Sequence, residues 1–152
     1  MGVSVQIDSE IAGIKFEAAG LKKLVRSVCR RFKVSDAAIN IVITGDEQIR
    51  RLNKKYLKSS CNTDCLSFNL YQGDYEGVNI FEFVLNGQEA RKQARKRGHT
   101  TQAELALYIL HCMLHNLGFD DTDRQQWRRM HKLEDEILQQ QGFGVVFNKP
   151  KK

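Results

Sequence analysis

The chain has 152 residues, of which 41% are hydrophobic, and this composition is typical of one globular domain. No apolar segment approaches the roughly 18 residues that a membrane-spanning helix needs, and the first residues lack the pattern of a secretion signal. These features exclude membrane-spanning classes and predict a soluble, cytoplasmic protein without a membrane partner. The 24 Lys and Arg against 18 Asp and Glu leave a formal charge of +6, which favours a polyanionic partner without identifying one.

Hydrophobic periodicity predicts four elements in the first third of the chain. Residues 3–7 alternate apolar and polar side chains, as a strand does, and residues 16–32 carry an apolar stripe of helical spacing. Residues 38–44, AINIVIT, form the clearest strand. Asp46 is then predicted as the N-cap of a helix that continues to Tyr56.

Two further strands are predicted over residues 63–69 and 78–85, and a short basic helix is predicted over residues 89–97. The helix predicted over residues 101–117 is apolar on every side, so we expect protein to surround it. An amphipathic helix over residues 122–141 follows.

The fold class follows from this order of elements. Strands interspersed with helices predict an α+β fold with a small mixed β-sheet packed with about five helices. We expect a single domain over residues 1–147 and a basic tail over residues 148–152. Thr101 and Glu104 fit a capping box at the start of the central helix.

The strongest chemical signal lies at the end of this central helix. His111 and His115 are four residues apart, so both imidazoles project from one side and can bind one metal ion. Gly118 ends the helix, and a chain reversal there would bring Asp120 or Asp121 toward the pair as a third ligand. The alternative is a pair of core histidines bonded to backbone or carboxylate partners.

The segment HCMLHNLGFDD also has the HxxxHxxGxxD frame of metzincin proteases. Those enzymes need a glutamate immediately after the first histidine as the general base, and Cys112 stands there. Peptide hydrolysis is therefore disfavoured. Glu104 lies nearly two turns before His111, and we interpret it as a capping residue rather than as a base.

Three segments, in order, resemble the YbeY endoribonucleases, bacterial metalloproteins implicated in ribosomal RNA maturation and ribosome quality control. HCMLHNLGFDD is similar to the family motif HGxLHLxGYDH, and LNKKYL followed by NTDCLSF is similar to LNxxYR followed by PTDVLSF. FEFVLN and EARKQA are similar to the family's GDIVIS strand and the helix after it. The resemblance covers roughly residues 36 to 125.

The chain departs from the family pattern at four positions. The family's arginine, proline, glycine and third histidine are replaced by Leu57, Asn62, Cys112 and Asp121, respectively. Aspartate has a shorter reach than histidine and adds a negative charge. Loss of the arginine removes a fork suited to phosphate, although Lys55 and Lys58 can supply point charges nearby.

Other side chains are candidates for contacts around the site. Arg91 and Arg95, on the basic helix, are predicted to contact the RNA backbone, although a solvated helix face explains the same residues and is favoured when the basic run is taken alone. A polar cluster at the start of a strand either orients a histidine or only closes a turn, and it consists of Thr63, Asp64 and Ser67. His99 and His131 are interpreted as structural or surface residues.

The resemblance implies a metal-dependent, single-strand-specific endoribonuclease that acts on ribosomal RNA precursors. Its catalytic residues and the ligands of one zinc ion would be His111, His115 and Asp121. It also implies the ribosome or a ribosomal protein as a partner. The alternative is a catalytically weak or inactive RNA-binding or ribosome-binding member of the family. The general base and the oligomeric state stay unassigned.

Overall fold

The computed structural model describes residues 2–57, 64–69, 79–119 and 122–144. Several predicted features therefore lie outside the described residues, namely Lys58, Thr63, Asp120, Asp121 and the basic tail. Within the described ranges, four strands and five helices follow one another in the order βαβαββααα. None of the helices in these ranges has the length and apolarity of a membrane span.

The strands form one mixed sheet, as the sequence predicts. Their bounds are β1 (Val3–Ser9), β2 (Ala37–Thr44), β3 (Cys65–Asn69) and β4 (Asn79–Asn86). The spatial order is β1-β2-β4-β3, in which β1, β2 and β4 run parallel and β3 pairs antiparallel with β4. Alternate residues of β2 are buried, because the pleat turns every second side chain to the same face of the sheet.

The helices cover both faces of this sheet. Their bounds are α1 (Ala18–Arg31), α2 (Asp46–Leu57), α3 (Gly87–Arg97), α4 (Thr101–Asn116) and α5 (Arg124–Gln140). The main core joins apolar residues of β1, β2 and β4 with those of α1, α3, α4 and α5. A smaller apolar cluster joins α2 to β3 and β4 through Ile49, Leu66 and Val84.

Helix α4 is the buried centre of the fold, as its unbroken apolar sequence predicts. It packs against α1, α3 and α5 and against strands β3 and β4. Every residue from Ala103 to Leu110 is buried, whereas the first two residues of the helix and part of its C-terminal end are partly exposed. The two histidines of the predicted metal site, His111 and His115, lie in the last two turns of this packed helix.

Two predicted helix caps are wrong. The N-cap of α4 is Thr100, whose Oγ1 accepts a hydrogen bond from the backbone N–H of Ala103 at 3.0 Å. Glu104 does not close a capping box, because its Oε1 instead pairs with Arg97 and His99. Asp46 is the first residue of α2 rather than its N-cap, and its Oδ1 accepts from Nδ2 of Asn86 at 2.7 Å.

The turn after α4 brings α5 back along it. Gly118 has φ +98°, a left-handed conformation that favours glycine, and Phe119 N–H donates to the carbonyl of Leu114 at 3.0 Å. Phe119 then packs edge-on against Phe32, with ring centroids 5.7 Å apart. Asp123 caps α5 by accepting from the backbone N–H of Gln126. This reversal places the inner face of α5 beside the histidines of α4.

Candidate functional site

The structure brings the two predicted histidine ligands together. Nε2 of His111 and Nε2 of His115 are 3.1 Å apart, and the ring planes meet edge-on at 82°. Two nitrogens that ligate one tetrahedral zinc ion at about 2.05 Å would be roughly 3.3 Å apart. A hydrogen bond between two neutral imidazoles has a similar length, so the geometry suits both a metal ion and a direct contact.

A buried carboxylate supports His111 from behind. Oε2 of Glu134 lies 3.0 Å from Nδ1 of His111, and the Glu134 side chain has no solvent exposure. A carboxylate that accepts from Nδ1–H fixes the tautomer in which the Nε2 lone pair is available to a metal ion. Glu134 is therefore part of the site. The sequence patterns considered above did not identify Glu134, although a charged residue at an inward position of an amphipathic helix indicates a buried partner.

The ionisation of Glu134 reflects two opposing effects. Burial alone raises the pKa of this carboxyl, but hydrogen bonds from His111 and His131, together with the charges of these rings, outweigh it. The pKa of Glu134 therefore lies below its ordinary value. The carboxylate stays ionised and can compensate positive charge held by the histidines.

His131 belongs to the same buried cluster. Only 6% of the residue is exposed, and its Nδ1 lies 2.6 Å from Oε1 of Glu134. Its ring is nearly parallel to that of His111 at 6.2 Å and contacts Trp127 at 4.3 Å. Of the two interpretations offered by the sequence, the structure thus supports an interior position and excludes an exposed one.

A cleft of about 150 Å³ opens beside His111. Its polar lining includes Asp64, Arg97, Tyr108, His131 and Glu134. Partial burial raises the pKa of the Asp64 carboxyl, and the charge of Glu89 adds to this, while His111 and Arg97 oppose it. The sequence left open whether Asp64 orients a histidine or only closes a turn, and in the structure it lines the same cleft as His111.

The other members of the predicted polar cluster lie elsewhere. Ser67 is exposed, and its Oγ accepts from Nδ2 of Asn116 at 2.5 Å, so it joins β3 to the end of α4. Thr63 lies outside the described residues.

Among the described residues, the predicted RNA-binding side chains of Lys55, Arg91 and Arg95 do not line this cleft. Nη1 of Arg91 donates to the carbonyl of Gly13 at 3.3 Å, and Arg91 and Arg95 line a separate, shallow depression near the start of α4. Lys55 lies on α2, with its Nζ 5.2 Å from the ring centre of Tyr56. Lys58 lies outside the described residues. Arg97 does line the cleft, although the sequence indicated it only as part of a charged run.

A second buried carboxylate anchors Arg97. Oε1 of Glu104 lies 3.2 Å from Nη1 of Arg97 and 3.0 Å from Nε2 of His99. Burial raises the pKa of Glu104 to about 7, although the charge of Arg97 opposes this rise. Glu104 thus connects α4 to the end of α3 instead of capping α4.

A complete metal site is not formed by the described residues alone, because they contain no cluster of three suitable His, Cys, Asp or Glu side chains. The predicted third ligand, Asp121, falls outside the ranges given above. What the structure does contain is two nitrogen donors at ligand spacing, with a carboxylate behind one of them. This donor set fits zinc.

Comparisons with known proteins agree with this architecture. A family model described as "Endoribonuclease YbeY" matches residues 6–142. The chain is 35% identical to "Endoribonuclease YbeY" of Heliobacterium modesticaldum over 123 residues, which cover 74% of each chain. It is 30% identical to the Sulfurovum sp. protein of the same name over 149 residues, covering 94% of each chain.

The fold also has a solved counterpart. The solution structure of TM1509 from Thermotoga maritima is similar with a TM-score of 0.56 and 22% sequence identity, covering 90% of both chains. That similarity bears on the fold alone, whereas the family model and the relatives cover most of the sequence. The chain therefore belongs to the YbeY endoribonuclease family.

Proposed function

We propose that this protein is a zinc-dependent endoribonuclease that cleaves single-stranded RNA, with ribosomal RNA precursors as its substrates. The observation that carries the proposal is the 3.1 Å separation of the His111 and His115 Nε2 atoms in a chain of the YbeY family. Glu134 adds support, because its contact with Nδ1 of His111 at 3.0 Å is typical of histidines that bind a metal ion.

His111, His115 and Asp121 would hold one zinc ion in this proposal. When bound, zinc supplies positive charge that lowers the pKa of water and stabilises negative charge on a phosphoryl group. Glu134 holds the His111 ring in the required tautomer through its Oε2 atom. His131 positions Glu134 by contacting the other carboxylate oxygen, Oε1. These protein groups act before substrate arrives, so the donor atoms need no rearrangement.

Surface residues would guide the RNA. Arg91 and Arg95 are exposed on α3, and with Lys55 and Lys58 they are proposed to contact backbone phosphates outside the cleft. Thr63, Asp64 and Ser67 are proposed to support the site, and Asp64 lines the cleft beside His111. The proposal places this machinery in one domain over residues 1–147 of a cytoplasmic protein that acts with the ribosome or a ribosomal protein.

The test measures metal content and RNA cleavage on the same purified samples. We expect about one zinc per chain by elemental analysis and cleavage of a single-stranded RNA but not of the matching duplex. A chelator and the His115→Ala variant should each abolish cleavage, whereas Gln125→Ala, an exposed change on α5, should not. Cleavage that survives the chelator or the loss of His115 would reject the metal mechanism. Products with a 2′,3′-cyclic phosphate would identify the RNA 2′-hydroxyl as the nucleophile.

The competing function is RNA binding without turnover. It is favoured by two sequence departures, Asp121 in place of the third histidine and Leu57 in place of the arginine. The discriminating result is tight RNA binding with no cleavage across several divalent metals. If Asp121→His then creates cleavage, the aspartate is the cause of the lost activity.

A further inference from the structure

A tyrosine that lines the cleft has a buried hydroxyl group with no hydrogen-bond partner among the described residues. Tyr108 lines the same cleft as His111, and only 4% of the residue is exposed. Across the described ranges, no group forms a hydrogen bond with the Tyr108 hydroxyl. A buried polar group without a partner is rare and destabilises the folded state. A bound oxygen atom in the cleft would satisfy this donor.

Burial keeps the Tyr108 hydroxyl protonated. It raises the pKa of this phenol far above its ordinary value, and the negative charges of Asp64 and Glu104 add to the effect. The group is therefore a neutral donor throughout the physiological range. Because it keeps its proton, it can donate a hydrogen bond to an anionic oxygen.

Arg97 supplies a permanent positive charge at the same place. Its side chain is 31% exposed and lines the cleft with Tyr108, while Glu104 anchors it through Nη1 at 3.2 Å. Two carboxylates also line the cleft, those of Asp64 and Glu134. The Glu134 carboxylate faces His111 and His131, and partial burial raises the pKa of Asp64. Arg97 is thus the group suited to face an anion.

We propose that Arg97 and Tyr108 bind the non-bridging oxygens of a phosphodiester group, next to the metal-ligating face of His111. The proposal rests on the proposed function and adds the groups that hold the substrate's phosphate. Guanidinium presents paired N–H donors to phosphate oxygens, and the tyrosine adds one donor in a site largely removed from water. In this chain, whose sequence has Leu57 in place of the family's arginine, the phosphate contact comes from α3 and α4 instead.

The experiment measures phosphodiester binding separately from cleavage. The full chain and its variants are titrated with inorganic phosphate and with a single-stranded 2′-O-methyl RNA, in the presence and absence of zinc. Tyr108→Phe removes a single oxygen atom, and we expect about tenfold weaker binding of both probes. Arg97→Gln should weaken binding at least tenfold, and Arg97→Lys by a smaller factor because the charge is kept. Zinc content and unfolding midpoints are measured for every variant.

Matched controls separate this site from general charge and hydroxyl effects. Arg129→Gln removes an exposed arginine on α5, and Tyr56→Phe removes the hydroxyl of an exposed tyrosine, so both should bind phosphate like the wild type. Wild-type affinity in both Tyr108→Phe and Arg97→Gln, or no phosphate binding by the wild type, overturns the inference. If the wild type binds phosphate through these residues but cleaves no RNA, the proposed function fails and the binding site stands. If RNA is cleaved with unchanged kcat and KM in both variants, the proposed function stands and this site fails.

Discussion

The buried carboxyl of Glu104 should make the stability of this protein fall as pH rises. Its pKa is raised from an ordinary value of 4.5 to about 7, so the folded state holds the proton more tightly than the unfolded state. The stabilisation is complete below the unfolded pKa and is lost as pH rises through the folded pKa. The folded-state and unfolded-state pKa values differ by about 2.5, and at about 1.4 kcal/mol for each unit of pKa the protonated carboxyl contributes about 3 kcal/mol to the free energy of unfolding. Glu104→Gln removes this dependence, because the amide does not ionise.

Urea unfolding of the wild type and Glu104→Gln, at pH 5 and pH 8 in the presence of a chelator, measures the effect. The advantage of the variant over the wild type should grow by about 2–3 kcal/mol between the two pH values. Glu47→Gln is the control, since Glu47 forms an exposed pair with Arg51 on α2 and its loss should change stability by at most about 0.5 kcal/mol. A difference between wild type and Glu104→Gln that does not change with pH would refute the reasoning.

Three further changes test other parts of the structure. Glu134→Gln should weaken zinc binding by about 10- to 100-fold in a competition titration with a chromophoric chelator. The control Glu136→Gln, on the exposed side of α5, should bind zinc like the wild type, and equal affinities of the two variants would contradict the supporting role of Glu134. Gly118→Ala should lower the free energy of unfolding by about 1–2 kcal/mol, because alanine is strained at a φ of +98°. The added Cβ would meet no atom within 4 Å, so a steric clash does not contribute, and an unchanged urea midpoint would argue against backbone strain. Asn86→Ala should lower it by about 1 kcal/mol through loss of the α3 cap, and circular dichroism melts that overlay the wild type would dismiss that contribution.

Periodicity was sufficient to predict the elements that hold the site. The apolar positions of β2 and the unbroken apolar run of α4 determine which faces are buried. Both patterns can be read from residues that are close together in the sequence. The spacing of His111 and His115 likewise fixes their common side of the helix. Such local features are readable because a helix or strand imposes its geometry on any sequence that adopts it.

The second layer of the site was not predictable in the same way. Glu134 is 23 residues from His111 along the chain, and the two meet because α5 packs against α4 with one particular rotation. Sequence spacing specifies neither that rotation nor the partner. Glu104 was misinterpreted for a different reason, because a local capping pattern was given more weight than its position in a helix that is buried on all sides. A charged residue within a helix that is buried on all sides must have a partner, and here it has Arg97 and His99.

The two buried carboxylates place basic groups at the cleft in the same way. Glu134 contacts His111 and His131, which both line the cleft. Glu104 contacts Arg97, which lines the cleft, and His99. Buried charges of this kind seldom increase net stability, because desolvation opposes the attraction between them. In the proposed function, their value would lie in fixing a metal ligand and a guanidinium before substrate binds. It follows that Glu104→Gln, which gains stability above pH 7, should also leave Arg97 less firmly held and bind phosphate more weakly; a variant that gained stability and kept full phosphate affinity would show that Glu104 does not position Arg97.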